Sequence, residues 1–168
     1  MEFVSIIMGS KSDYEVMSEC AKLLEKFGVP YELIISSAHR SPERTKDYIK
    51  DAQSRGAQVF IAAAGMAAHL AGAVAAQTCK PVVGVPLTST QSAINGLDSL
   101  LATVQMPSGM PVATMAIGKA GAINAAHLAM QILSLQDSHL AKKLSDERAN
   151  KLKDLEQSSQ EIQVLLRG

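Results

Sequence analysis

Short runs of apolar residues alternate along this chain with longer stretches of mixed polarity. Five runs rich in β-branched or small apolar residues predict strands: Phe3–Met8, Tyr31–Ile35, Val59–Ala64, Pro81–Val85 and Pro111–Ala116. The stretches between and after them predict helices: Asp13–Phe27, Pro42–Arg55, Ala67–Gln77, Asn95–Val104 and Ala120–Gln136. This alternation is typical of a parallel sheet covered by helices on both faces. We therefore predict an α/β fold, a three-layer α/β/α sandwich around a flavodoxin-like parallel sheet.

The last part of the chain differs in composition from the rest. From Asp137 onward, charged side chains of both signs are dense, and leucines recur at Leu140, Leu144, Leu152, Leu155, Leu165 and Leu166. Their irregular helical spacing predicts an amphipathic helix and not a long coiled coil. No internal repeat or linker divides the chain. We expect a single domain over residues 1–168, with an α/β core at 1–136 and a helical tail at 137–168.

Charge is balanced in total but unevenly distributed. The 16 Lys and Arg residues equal the 16 Asp and Glu residues, so no basic field favours nucleic acid or a membrane surface. Between residues 57 and 133, the charged side chains are Lys80, Asp98 and Lys119 alone. A chain of 168 residues cannot bury so long an apolar stretch in its own core. This distribution predicts a homo-oligomer with extensive interfaces.

Signals for membranes, secretion and disulfides are not visible in the sequence. No window of about 18 apolar residues is free of polar or helix-breaking interruptions, and the N-terminal residues do not resemble a secretion signal. A cytoplasmic location is therefore expected. Cys20 and Cys79 share no CxxC spacing, so each is expected to be a small buried hydrophobe, with no disulfide or zinc site.

The first of three unusual loops, Gly9–Asp13, follows the first predicted strand. In parallel α/β sheets, ligands bind at the carboxyl ends of strands, where loops meet helix N-termini. A glycine joined to the hydroxyls of Ser10 and Ser12 makes this loop a candidate anion site. Ser12 or Asp13 could instead cap the helix, and Asp13 could accept from a sugar hydroxyl, so the turn alone leaves these roles open.

The second loop, Ser36–Arg40, places an imidazole beside a guanidinium. Arg40 has the fork of donors that fits phosphate, and the imidazole of His39 is a group that moves protons near neutral pH. Surface His-Arg pairs usually have no function. The position at a strand end favours a function for this pair.

The third loop, Gly65–Leu70, contains His69 in the least charged part of the chain. A histidine in so apolar a run is more often a satisfied core residue, and the run alone predicts that role. The alternative is contact with a ligand near Gly65, where the missing side chain lets a ligand approach the backbone.

The histidines do not predict a metal centre. His39 and His69 have no Asp, Glu or Cys at known metal-ligand spacings, so no metal site is expected. His127 and His139 lie on predicted later helices without an accompanying motif. We expect structural or surface roles for both.

Four motifs occur together in a specific order and spacing: MGSKSD, SAHR, AAHLAG and QMPSGMPVATMAIGKAGAINAA. Over about Phe3 to Gln136 they resemble the 5-(carboxyamino)imidazole ribonucleotide mutase family, the small catalytic subunit of phosphoribosylaminoimidazole carboxylase. The resemblance implies a cofactor-free homo-octamer of de novo purine biosynthesis. It also implies that the single domain is catalytic and that its partner is a small-molecule imidazole ribonucleotide, not nucleic acid or a membrane.

Roles for individual residues follow from the same resemblance. His39 matches the catalytic histidine of the family. The substrate-binding positions are matched by Ser10, Ser12, Asp13, Ser37, Arg40, Gly65, Ala68 and His69. Lys119 lies in the matching GKAG segment, without an implied role. Met66 and Ala71 stand where the family frequently has glycine and proline, which leaves His69 in place but puts the shape of the loop in question.

The implied reaction moves a carboxyl group from an exocyclic nitrogen to ring carbon four, giving 4-carboxy-5-aminoimidazole ribonucleotide. One imidazole can act as an acid when the carbamate loses carbon dioxide and as a base when carbon four recaptures it. Arginine after the histidine fits this mutase branch better than the branch that carboxylates aminoimidazole ribonucleotide directly, which is the first alternative. A non-catalytic flavodoxin-like module that binds a phosphorylated ligand is the second, and the absence of Trp argues against its flavin form.

Overall fold

Five parallel strands form the sheet at the centre of the first part of the chain. The computed structural model describes residues 1–162 and Leu165. The strands are β1 (Phe3–Met8), β2 (Tyr31–Ile35), β3 (Ala57–Gly65), β4 (Val82–Leu87) and β5 (Ala113–Thr114). Their order is β2-β1-β3-β4-β5, and every neighbouring pair is parallel. This order, with helices on both faces, confirms the predicted three-layer flavodoxin-like α/β fold.

Six α-helices occur in the described residues. They are α1 (Tyr14–Phe27), α2 (Pro42–Arg55), α3 (Leu70–Ala75), α4 (Leu97–Val104), α5 (Lys119–Ser134) and α6 (Ser138–Ile162). Gly28 and Gly56 end α1 and α2 in the left-handed conformation, and Pro42 begins α2. None of these helices combines the length and apolar character needed to cross a bilayer.

Two helices begin later than predicted: before α3 the N–H groups of Ala68 and His69 donate to carbonyls only two residues back, and the predicted start of α4 is left-handed. Met66, which precedes the predicted start of α3, has φ 53°, and α3 begins only at Leu70, three residues after that start. Asn95 and Gly96 have φ 48° and 90°, and α4 correspondingly begins two residues late. Residues 66–69 are therefore a loop at the edge of the sheet.

Two strands have limits that differ from those predicted. β4 begins just after Pro81, and β5 is only Ala113–Thr114, shorter at both ends than the predicted Pro111–Ala116. At its other end, β4 continues to Leu87, two residues beyond its predicted end. The loop after β4 consequently starts at the same edge of the sheet as the three loops singled out in the sequence.

Small residues let one helix approach the rest of the first unit closely. The buried residues of α5 are Gly121, Ala122, Ala125, Ala126, Ala129 and Met130. A Cβ added to Gly121 would lie 1.7 Å from the carbonyl oxygen of Ala116. Only glycine permits this approach, since the obstacle is backbone and not a flexible side chain.

A second compact unit begins at Leu133, after a first unit of Met1–Ile132. It contains α6, which confirms the predicted C-terminal helix. Leu140 is buried, whereas Leu152 and Leu155 are exposed, and Leu166 lies outside the described residues.

The two cysteines have different environments. Cys20 on α1 is buried, as expected, and burial raises the pKa of its thiol to about 12. Cys79 is exposed, so the expectation that it is a small buried hydrophobe is wrong. It lies between α3 and β4, in a connection that runs over the surface, as loops in compact domains do.

Candidate active site

The carboxyl ends of β1, β2 and β3 bring the three predicted loops together. The N–H of Gly9 donates to the carbonyl of Ala63 at 3.2 Å, which ties the first loop to the end of β3. The guanidinium of Arg40 donates to the carbonyl of Gly9 at 3.3 Å and so joins the second loop to the first. His39 and His69 join the second loop to the third.

The turn after β1 is closed by a reciprocal capping box. Asp13 Oδ2 accepts from the N–H of Ser10 at 2.9 Å, and Ser10 Oγ accepts from the N–H of Ser12 at 3.4 Å. Ser12 Oγ also donates to Ser10 Oγ at 3.1 Å, so the proton of the Ser10 hydroxyl is directed elsewhere. The cap is therefore made by Ser10 and Asp13, and Ser12 does not fill that role.

Asp13 sits in an environment that disfavours its charge. Burial raises the pKa of its carboxyl above the ordinary value, against the opposing effects of backbone N–H bonds from Ser10 and Gly9 and of the positive charge of Arg40. The carboxylate is thus held in place by donors although its surroundings exclude part of the solvent. Such a group is suited to accept from the hydroxyl of a bound sugar.

The loop after β2 is fixed mainly by its own serines. Ser37 Oγ accepts from the N–H of Arg40 at 3.1 Å, and Ser41 Oγ accepts from the N–H of Ser37 at 3.0 Å. Both His39 and Arg40 are exposed on this loop. The loop therefore presents a base and a cation to solvent on a backbone held by side-chain hydrogen bonds.

A buried pair of hydroxyls, one at the start of this loop and one on α2, is absent from the predicted site. Ser36 and Thr45, 1% and 3% exposed, lie with their hydroxyl oxygens 2.7 Å apart. Thr45 Oγ1 is also 3.0 Å from the carbonyl of Ser41, so the consistent arrangement has Ser36 donating to Thr45 and Thr45 donating to Ser41. The pair joins the residue after β2 to the first turns of α2.

His39 and His69 form the central contact of the site. His39 Nε2 and His69 Nδ1 are 2.8 Å apart, and the rings meet edge to face with centroids at 4.9 Å. One nitrogen must donate and the other accept, so a single proton lies between the two rings. His69 is exposed, and the expectation from its apolar run that it is a core residue is wrong.

The loop after β3 places small residues and a left-handed residue beside this pair. A Cβ on Gly65 would lie 3.3 Å from the carbonyl oxygen of Leu87. The side chain of Ala68 is buried, so Ala68 can offer a ligand little beyond its backbone. Met66 stands where the family resembled in sequence frequently has glycine. Its φ of 53° is left-handed, a conformation that glycine adopts without strain, which explains that preference.

Other residues singled out in the sequence lie apart from these loops. Lys119 Nζ is 3.1 Å from Glu19 Oε2, an ion pair between α5 and α1. His127 packs edge-on against Phe27, with ring centroids 6.3 Å apart, as a structural role predicts. In residues 1–162 and Leu165, no three His, Cys, Asp or Glu side chains are grouped so that they could hold a metal ion.

A family model and several named proteins match this chain in sequence. The AIR carboxylase family model matches residues 3–154. A protein of Bacillus subtilis named N5-carboxyaminoimidazole ribonucleotide mutase is 52% identical, over 95% of this chain and 97% of its own length. The proteins of that name from Pyrococcus horikoshii and Escherichia coli K12 are 57% and 50% identical, over 84% and 86% of this chain and 77% and 85% of their own.

Among solved structures, PurE of Treponema denticola matches with a TM-score of 0.87 and 26% identity, over 98% of this chain and 100% of that one. A substituted form of PurE2 from the same organism matches with a TM-score of 0.88 at 25% identity and the same coverage. Family model, sequence relatives and fold agree over nearly the whole length. This chain belongs to the AIR carboxylase family.

Proposed function

We propose that this chain is the mutase that converts 5-carboxyaminoimidazole ribonucleotide into 4-carboxy-5-aminoimidazole ribonucleotide in purine biosynthesis. The observation that carries the proposal is the 2.8 Å contact between His39 and His69 beside the turn after β1. Relatives that are 50–57% identical bear the name of this activity. That name favours the mutase reaction over direct carboxylation of aminoimidazole ribonucleotide.

The phosphate and ribose of the substrate are proposed to bind at the ends of β1 and β2. The hydroxyl proton of Ser10 and the exposed guanidinium of Arg40 are donors that suit a phosphate. Asp13 is proposed to accept from the ribose. The substrate-binding set proposed for this chain is Ser10, Ser12, Asp13, Ser37, Arg40, Gly65, Ala68 and His69.

His39 is proposed to move the protons of the reaction. As the carbamate releases carbon dioxide, protonated His39 gives its proton to the exocyclic nitrogen. Ring carbon four then attacks the carbon dioxide held beside it, and neutral His39 removes the proton that this carbon carried. His69, hydrogen-bonded to His39 Nε2, orients the ring and supplies a second site for the shared proton.

The experiment is a turnover assay on the purified protein without added nucleotide or metal. Each ribonucleotide is supplied separately: the carbamate, or aminoimidazole ribonucleotide with bicarbonate. Conversion of the carbamate at low bicarbonate supports the mutase. If only aminoimidazole ribonucleotide with bicarbonate is converted, direct carboxylation is supported instead. If neither ribonucleotide is converted, both proposed reactions are refuted.

A homo-octamer is proposed as the working form. Supporting this, Leu97, Leu101 and Val104 recur at helical spacing on α4 and are 47–48% exposed, and Ile94, just before the left-handed start of this helix, is 53% exposed. An apolar stripe of this kind on a single chain is suited to burial against another copy. Sedimentation at micromolar concentration tests the assembly, and a stable monomer would refute it.

We also propose that residues 1–168 act as one catalytic domain in the cytoplasm, with core and tail as predicted. Cell fractionation tests the location. Truncation after Gln136 tests whether the tail is needed for turnover.

A further inference from the structure

Ser89 lies beside the candidate site on a loop that the predicted site does not include. The β3–β4 register pairs Gly65 with Leu87, the last residue of β4. Two residues further along, Ser89 packs over the end of β3: its Cβ would be 3.7 Å from a Cβ added to Gly65. A ligand on the backbone of Gly65 would therefore have Ser89 as its neighbour.

The hydroxyl of Ser89 retains a proton to donate. Within the described part of the chain, Ser89 Oγ makes one hydrogen bond, accepting from the N–H of Gln91 at 3.2 Å. Ser92, on the same loop, likewise accepts from the N–H of Ile94 at 3.3 Å, but it also donates to Asp98 Oδ2 at 2.8 Å. The two serines make the same local turn, and of the two only Ser92 donates its proton to another described residue.

The order of the strands indicates which end of a substrate would meet Ser89. The donors proposed for the phosphate, Ser10 and Arg40, follow β1 and β2, and β3 and β4 lie on the other side of β1. With strands about 4.8 Å apart, β4 is about 10 Å from β1. A ribonucleotide held by its phosphate at β1 thus lays its base over Gly65 and turns the far edge of the ring toward β4.

We propose that Ser89 determines specificity by donating its hydroxyl proton to the carboxylate of the substrate and product. This inference rests on the proposed function. In that reaction the carboxylate is carried first by the exocyclic nitrogen and then by ring carbon four, and both atoms lie at the far edge of the imidazole. A carboxylate is a charged acceptor, whereas carbon dioxide is neutral and aminoimidazole ribonucleotide has no such group. Ser89 should therefore strengthen the binding of the carboxylated ribonucleotides only.

The test compares two ligands by titration calorimetry: 4-carboxy-5-aminoimidazole ribonucleotide and 5-aminoimidazole ribonucleotide. Ser89→Ala should weaken binding of the first about tenfold, as expected for a hydrogen bond to a charged group, and that of the second less than about twofold. Ser89→Thr, which keeps a hydroxyl, should restore most of the loss. Ser92→Ala removes the matched turn bond and should leave the ratio of the two affinities unchanged.

The outcomes separate this inference from the function on which it rests. If the wild-type protein converts the carbamate but Ser89→Ala weakens both ligands equally or neither, Ser89 does not contact the carboxylate and the inference is wrong. A change of the affinity ratio in Ser92→Ala as large as in Ser89→Ala would also overturn it. A wild-type protein that neither binds nor converts these ribonucleotides overturns both proposals.

Discussion

Removing the hydroxyl of Thr45 should destabilise the protein more than removing a matched hydroxyl elsewhere. In Thr45→Val the shape of the side chain is kept, but the buried hydroxyl of Ser36 loses its partner at 2.7 Å. A buried polar group left without a hydrogen bond costs about 1–3 kcal/mol. For a chain of 168 residues, each kcal/mol lowers Tm by about 2–4 °C, so a fall on the order of 5 °C is expected.

Thr103→Val is the matched control for this change. Thr103 is also buried and donates to the carbonyl four residues earlier, Ser99, at 2.7 Å, but its removal leaves no buried hydroxyl alone. Thermal unfolding of Thr45→Val, Thr103→Val, Ser36→Ala and the double variant Ser36→Ala/Thr45→Val measures the differences. The double variant should be less destabilised than the sum of its single changes. Equal losses in Thr45→Val and Thr103→Val would refute the role given to the pair.

Two further predictions concern close packing and charge. Gly121→Ala should lower Tm by several degrees, because the new Cβ would lie 1.7 Å from the carbonyl oxygen of Ala116. Gly72→Ala should lower Tm less, because its Cβ would face a flexible methionine side chain at 3.1 Å. Equal changes in Tm would contradict this prediction. Asp13→Asn should abolish activity without lowering Tm at pH 7. The raised pKa of Asp13 means that its contribution to stability is largest when the carboxyl is protonated and falls as pH rises through the folded-state pKa. Calorimetry from pH 7 down to 4 should show the Tm of the wild type rising relative to that of the variant. A relative fall would refute the direction of the pKa shift.

The strands, helices and layer order follow from sequence because their signals are local. Phe3–Met8, Tyr31–Ile35 and Pro42–Arg55 begin and end where the apolar period, the proline and the glycines indicate. The starts of α3 and α4 could not be found in this way. They depend on the tight turn through Ala68 and His69 and on left-handed backbone at Asn95, which the surrounding fold and not the residue type determines.

The sequence predicts which loops form the candidate site, but it does not predict the contacts between their side chains. Strand ends in a parallel sheet identify the loops that contain Asp13 and His39, yet no spacing indicates that His39 and His69 share a proton 30 residues apart. Ser89 was missed although it lies in the loop predicted between Val85 and Asn95, because this loop contains none of the histidine, arginine or glycine signals that singled out the other three. Its hydroxyl-rich sequence at a strand end is the signal that could have included it.

His39 is proposed to transfer the protons of a carboxyl migration without a cofactor. The most direct test of this proposal is single-substrate turnover of 5-carboxyaminoimidazole ribonucleotide by wild type and His39→Asn, without nucleotide or metal, with fold and assembly checked by circular dichroism and sedimentation. We expect conversion by the wild type and a loss of about 100-fold or more in the folded, assembled variant. Normal turnover by that variant would contradict it.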